Sequence, residues 1–237
     1  MPTLLDEPGA VTDELTAADE PGTLADLVRE LGGVPLSRIC RNPRPGVATE
    51  ADLLRFLAGH PKRLFELVDG TLVEKPMGYS ESSIGSVLVR RLGRWSDDAG
   101  DLGNIAGADG TVRLLGRQVR MPDVSFTRWD RLPGGHLPAE PIPDFVADLA
   151  VEVLSDSNTP AEIGIKLGEY FACGAKLVWV IDPAARTARA YTAPQQWADL
   201  TAADTLDGAD VLAGFAVPLA DLFARLPPEP KRKKKGG

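Results

Sequence analysis

The chain has 237 residues, enough for one domain of ordinary size with flanking sequence, and 43% of them are hydrophobic, enough to bury a core. The formal net charge is −8; five basic residues (Lys231, Arg232, Lys233, Lys234 and Lys235) sit in the tail, so the body has 21 basic against 34 acidic residues, or −13. A membrane helix is excluded, because no run approaches roughly 18 continuous apolar residues.

An overall basic footprint for nucleic acid is absent. A nucleic-acid ligand therefore requires a local basic groove or a divalent metal that offsets the acids. No basic-then-apolar leader opens the chain, since Leu4 and Leu5 are followed at once by acids. The expectation is a soluble, cytoplasmic protein with no membrane association. Cys40 and Cys173 have no metal-ligand spacing and read as reduced bystander thiols.

Residues 1 to about 22 are acidic, bear Pro and Gly, and lack periodicity, which predicts disorder. Residues 23–31 predict a short helix capped by Thr23, and residues 32–46 read as linker. Residues 49–58 predict a second helix, opened by a Thr49/Asp52 capping box. Two strand-like runs, 63–68 and 71–75, flank Asp69-Gly70, a strong hairpin signal. Residues 80–95 predict an amphipathic helix, with Ile84, Val87, Leu88, Leu92 and Trp95 at helical spacing.

Short runs at 103–106, 111–115 and 118–129 predict strands of a meander. A Pro-rich loop covers 134–144, and 147–154 reads as a compact apolar strand. Residues 159–173 predict a helix with Thr159 as N-cap, Pro160 at the first position, Glu162 completing a capping box and Gly174 as terminator. Residues 176–181 predict a strand with 186–192 pairing back on it. Residues 210–215 and 218–226 predict a last strand and short helix. No internal repeat appears. The pattern is α/β, two helices on one mixed β-sheet with a strand–helix–strand crossover near the end. The expected domains are a disordered or loosely ordered extension over residues 1–45, a folded unit over 46–226 and a basic disordered tail over 227–237.

Glu152 is the most informative position. Alternation puts Leu149, Val151 and Val153 on one face, and Asp148, Ala150, Glu152 and Leu154 on the other. A carboxylate in so apolar a strand is costly unless paired or metal-bound. Asp123 follows Pro122, which lacks an amide hydrogen and so marks a strand end, edge or bulge. Sharing a face with Val119 and Met121, Asp123 points inward. If their strands are neighbours, Asp123 and Glu152 converge, and two carboxylates with open water positions suit Mg²⁺.

Lys166 borders the stripe of Ile163, Leu167, Tyr170 and Phe171. A surface pair with Glu162 or a snorkelling role explains it as well as a site does. Glu66 shares its face with Leu64 and Val68, an odd place for an acid. Glu81 opens the first long helix, where the macrodipole favours acids. Either Glu66 or Glu81 is the candidate for an additional carboxylate. His60 and His136 lie in loop-like contexts without zinc spacing. No Gly-rich phosphate loop and no Gly-x-Ser-x-Gly elbow appears.

Five motifs occur in order: Phe65-Glu66-Leu67-Val68-Asp69-Gly70, Pro122-Asp123-Val124-Ser125, Val151-Glu152-Val153-Leu154-Ser155, Lys166-Leu167-Gly168-Glu169-Tyr170-Phe171 and Val178-Trp179-Val180-Ile181-Asp182-Pro183. Together they resemble the Uma-two family, assigned to the endonucleases by sequence. The resemblance runs from about residue 64 to 192. It implies the restriction endonuclease-like PD-(D/E)XK core and hydrolysis of DNA phosphodiesters with Mg²⁺, for which Mn²⁺ can substitute. A homodimer that cuts both strands is compatible with it. Its implied site is Asp123 and Glu152 as metal ligands, with Lys166, Glu81 and Glu66 as further catalytic candidates. The superfamily pattern puts a lysine two residues after the acid, where this chain has Leu154, and the resemblance implies that Lys166 from the following helix takes its place. The alternative expectation is a catalytically inactive nuclease-fold protein used as a DNA-binding or assembly module.

Overall fold

The computed structural model describes residues 22–116 and 118–227; the disorder expected over residues 1–21 and in the tail from 228 lies outside them. In chain order the elements are α1 (Leu24–Glu30), a 3-10 turn (Leu36–Arg38), α2 (Glu50–Gly59), β1 (Leu64–Val68), β2 (Thr71–Lys75), α3 (Tyr79–Asp98), β3 (Gly103–Gly107), β4 (Val112–Arg113), β5 (Val119–Arg120) and β6 (Val124–Arg128). After two further 3-10 turns come β7 (Leu149–Val153), α4 (Pro160–Ala172), β8 (Leu177–Asp182), β9 (Thr187–Ala193), β10 (Gln196–Thr201), β11 (Thr205–Asp207), β12 (Ala216–Pro218) and α5 (Leu219–Phe223). Among the described residues no helix is long and apolar enough to cross a membrane.

The β1–β2 hairpin turns at Asp69 (φ 44°) and Gly70 (φ 72°), the two left-handed residues that a tight turn between twisted strands requires. Thr23 and Thr49 both close full capping boxes, with Asp26 and Asp52 as partners. At α4 the expected box is half made. The Thr159 hydroxyl accepts from the Glu162 amide at 3.0 Å, but the Glu162 carboxylate is taken by Arg38 and Asn158. For the same reason the surface pair between Glu162 and Lys166 does not form.

Instead of one mixed sheet, the described residues form three. A four-stranded sheet has the order β2-β1-β5-β4, a six-stranded sheet β10-β9-β8-β7-β6-β3, and β11-β12 form a ribbon. Pro122 causes the division. The single run expected over 118–129 breaks at Met121-Pro122-Asp123, where an amide for the ladder is missing. β5 thus pairs with β1 and β4, while β6 pairs with β3 and β7. Among the described residues the only parallel pair is β7–β8, joined through α4 as the crossover pattern predicts. The strand expected at 210–215 is a turn, and the short strand falls at Ala216–Pro218.

α3 and α4 cover opposite faces of the six-stranded sheet. Ile84, Leu88 and Leu92 of α3 pack with Val124, Phe126, Leu149, Val151 and Trp179. Ile163, Leu167 and Tyr170 of α4 pack with Ala150, Val178 and Val180. Every residue of β7 is therefore buried, as expected for a central strand covered on both faces. α2 seats Leu53 against Phe65, Leu67, Leu72 and Val119 of the four-stranded sheet. The segment over residues 24–45 carries α1, where residues 23–31 predict a helix, and the 3-10 turn within the stretch read as linker. Leu31 and Val34 are buried against Val68 and Val73.

One ion pair ties this N-terminal segment to α4. Arg38 holds Glu162 through two bonds, at 2.9 and 2.6 Å, and donates to the Glu74 carbonyl at 2.8 Å. Both side chains are about 95% buried. Breaking such a pair strands a buried charge. Arg38→Ala is expected to lower the unfolding free energy by about 3–5 kcal/mol, read as a fall in urea midpoint at unchanged slope.

Candidate active site

The side chains that carry charge into the interior converge where β1, β2 and β5 of one sheet meet β7 of the other beneath α4. The Pro122 break brings Asp123 there. Its amide donates to the Val151 carbonyl at 2.8 Å, and its Oδ2 accepts from the Val153 amide at 2.6 Å. The aspartate is thus locked onto the backbone on either side of Glu152. Gly85 of α3 lies against the same point, where an added methyl would stand 3.7 Å from the Asp123 carbonyl oxygen.

Glu152 projects to the α4 face, as alternation along β7 requires. The Tyr170 hydroxyl donates to its Oε1 at 2.6 Å and the Lys166 Nζ to its Oε2 at 3.1 Å. The same ammonium donates to Glu66 Oε1 at 3.0 Å. Glu66 also accepts from the Met121 amide and from Arg120, both at 3.1 Å, and Arg120 grips Glu169 with two bonds of 2.6 and 2.8 Å. At the other end Lys75 from β2 holds Asp123, its Nζ 2.8 Å from Oδ1, and also donates to the Met121 carbonyl.

Four of the five residues that the sequence nominates thus stand in one network: Glu66, Asp123, Glu152 and Lys166. Glu81 does not join them. Its carboxylate folds back over Gly78 at the start of α3, on the wall of a surface groove of about 470 Å³ lined also by Leu154, Ser155 and Asp182. Lys166 does more than border an apolar stripe, being 1% exposed, because α4 is covered on that side by the four-stranded sheet. The sequence reading passed over Lys75, Arg120 and Glu169 as site members, and placed Tyr170 in the core stripe alone. Lys75 shares its strand face with Thr71 and Val73, an available signal, but a lysine before a proline reads as a solvated strand end. His60 and His136 are exposed and take no part.

The two glutamates respond oppositely to burial. Burial alone pushes the Glu66 carboxyl up, yet the Lys166, Arg120 and Lys75 charges outweigh it and hold that carboxyl well below the usual range. Around Glu152 burial wins. Lys166 and Lys75 offset it only in part, the Asp123 and Glu66 carboxylates add to it, and its carboxyl is raised. The Lys166 ammonium, disfavoured by burial, is nevertheless held charged by Glu152 and Glu66. Burial, then Glu152 and Glu66, keep the Tyr170 hydroxyl protonated and able to donate.

By linkage, a lowered carboxyl stabilises the fold above its unfolded value near 4.3, and that stability is lost as pH falls through the folded value. A raised carboxyl costs stability when ionised, and the cost fades as pH falls. Glu66→Gln is therefore expected to destabilise by about 3–5 kcal/mol at pH 7, with the loss shrinking below about pH 4. Glu152→Gln, which still accepts from Tyr170, is expected to melt within a few degrees of the parent or above it. Urea and thermal melts between pH 3 and 7 check both.

A family model described as "Uma2: Putative restriction endonuclease" matches residues 51–220. Among solved structures, one described as "a putative nuclease belonging to DUF820 from Anabaena variabilis ATCC 29413" superposes with a TM-score of 0.60 at 20% sequence identity, over 68% of this chain and 90% of that one. At that identity the likeness shows a shared fold. No curated protein matches the chain.

Proposed function

The chain belongs to the Uma2 family, and from that premise we propose that it is a metal-dependent endonuclease that hydrolyses phosphodiester bonds in DNA, with Mg²⁺ as cofactor and Asp123 and Glu152 as its ligands. The observation that carries the reading is the pairing of these two buried carboxylates on adjacent backbone at the end of β7, one of them with a raised carboxyl.

The donor chemistry suits Mg²⁺. Two carboxylates offer hard anionic oxygens, and this ion ordinarily takes one or two of them and keeps water elsewhere. Among the described residues no three His, Cys, Asp or Glu side chains gather closely enough to hold an ion by themselves, so Asp123 and Glu152 would be its only side-chain ligands. The network also has a cation deficit, with the carboxylates of Glu66, Asp123, Glu152 and Glu169 facing the cations of Lys75, Arg120 and Lys166.

A divalent ion bound there supplies a Lewis acid that neutralises phosphate charge and acidifies water. The chain's own residues set the stage. The Val153 amide aims the Asp123 carboxylate, and Tyr170 with Lys166 aims that of Glu152. The Lys166 charge offsets part of the burial that raises the Glu152 carboxyl. Glu66 is the anchor for Lys166 and Arg120, and so acts through other residues; Glu81, standing in the adjoining groove, is left as the candidate for a carboxylate at the substrate's edge.

Asp123→Asn and Glu152→Ala are each expected to lower nicking of supercoiled DNA by about a thousandfold, the equivalent of several kcal/mol of lost charge stabilisation, together with Mg²⁺ binding in calorimetry. An Asp123→Asn protein that cuts as well as the parent would falsify the assignment. The parent's salt-sensitive DNA binding without cleavage in Mg²⁺ or Mn²⁺ would instead identify a silent binding module, a role that Leu154 in the superfamily lysine's place also fits.

A further inference from the structure

Two buried lysines serve this network, and their surroundings differ. Lys166 is enclosed between two glutamates, and both its bonds are to their carboxylates. Lys75 stands at the rim. It is 7% exposed beside Asp123 at 6%, whereas Glu66 and Lys166 are at 0% and 1%. Its ammonium makes contact on both sides of Pro122, with the carbonyl of Met121 and the carboxylate of Asp123. No positive charge stands two residues after Glu152, where the chain has Leu154.

We infer that Lys75 is the resident counter-cation of Asp123, a positioning residue that holds this carboxylate ready and competes directly with a divalent ion for it. The inference rests on the reading of Asp123 as a metal ligand. An ammonium 2.8 Å from Oδ1 occupies a direction that an ion needs, and its charge repels any cation approaching the site. Binding of the ion therefore displaces Lys75 from the carboxylate. The Met121 carbonyl remains as a second acceptor that keeps the side chain nearby. Displaced, Lys75 leaves a positive charge at the rim of the site, in the neighbourhood of an arriving phosphate. Lys75 thus takes the part that the absent lysine at position 154 leaves open, while Lys166 stays bonded to Glu152 and Glu66.

The competition separates this role from a merely structural one, because loss of a structural support weakens metal binding whereas loss of a competitor strengthens it. The full chain carrying Lys75→Gln, which keeps an N–H donor to Asp123 without the charge, is expected to bind Mn²⁺ about tenfold more tightly in calorimetry, through removal of one nearby like charge. Its cleavage rate should fall below the parent's. Lys75→Arg, which retains the charge, is expected to keep the parent's affinity. Lys75→Met serves as a second neutral variant. Where a variant is too unstable for calorimetry, the rise in melting temperature with added Mn²⁺ reports the same affinity, and it should exceed the parent's. Neutral variants that bind Mn²⁺ no more tightly than the parent, or an arginine variant that gains affinity as the neutral ones do, overturn the inference. Metal binding that rises as expected while neither parent nor variants cut DNA supports the role of Lys75 and overturns the nuclease reading alone.

Discussion

A charge inside a protein must be paired, and this fold is arranged around that requirement. Glu66, Lys75, Arg120, Asp123, Glu152 and Lys166 are each less than a tenth exposed. Transfer of any one of them from water unpaired costs several kcal/mol, comparable to a large share of a domain's net stability. Their partners come from β1, β2, β5, β7, α4 and the Pro122 bend, so the pairing holds only if two sheets and a helix keep one relative placement. A one-residue slip of β1 against β2 would put Glu66 and Lys75 on opposite faces and deprive Lys166 and Arg120, or else Asp123, of a partner. Apolar packing supplies most of the folding free energy on either side. The ionic chain supplies uniqueness at the seam, and Arg38–Glu162 extends it to the N-terminal segment.

The acids are the part of this arrangement that a sequence can declare. Glu152 stands out because its neighbours leave it no wet face, and Glu66 stands out in the same way on β1. Asp123 is marked by Pro122, whose missing amide breaks the ladder wherever it falls. The lysines are harder to place. A long aliphatic stem with a charged tip fits equally well on a surface, at a stripe's border or inside. Only the tertiary arrangement shows that α4 has a second sheet over the side that bears Lys166. Lys75 gave less warning still, lying at the end of a hairpin next to Glu74, which forms an ordinary half-exposed pair with Arg63.

The same physics explains which elements of the fold were legible. The long helices and β7–β8 announced themselves through periodicity and caps, because they are packed on at least one full face. β10 has almost no buried residue, so it carries no hydrophobic alternation and its sequence looks like loop. Its strand state comes from pairing with β9, a tertiary fact. The division into two main sheets likewise turns on a single residue. Without Pro122 the run from 118 to 129 is one plausible strand, and the charged seam between the sheets would have no reason to exist.

The two halves of the site also differ in what they demand of evolution's raw material. A carboxylate pair that is to hold an ion needs fixed directions, and for Asp123 and Glu152 the backbone supplies them: the Asp123 amide on Val151, the Val153 amide on Asp123, and Glu152 within β7 itself. A cation needs only to arrive, since a lysine ammonium is a compact point charge on a flexible four-carbon stem. It can be delivered from a neighbouring helix, as with Lys166, or from a hairpin in another sheet, as with Lys75. Absence of the strand lysine is weak evidence of an inactive protein, and what decides the matter is how many buried cations face the carboxylates and how readily an ion can replace them.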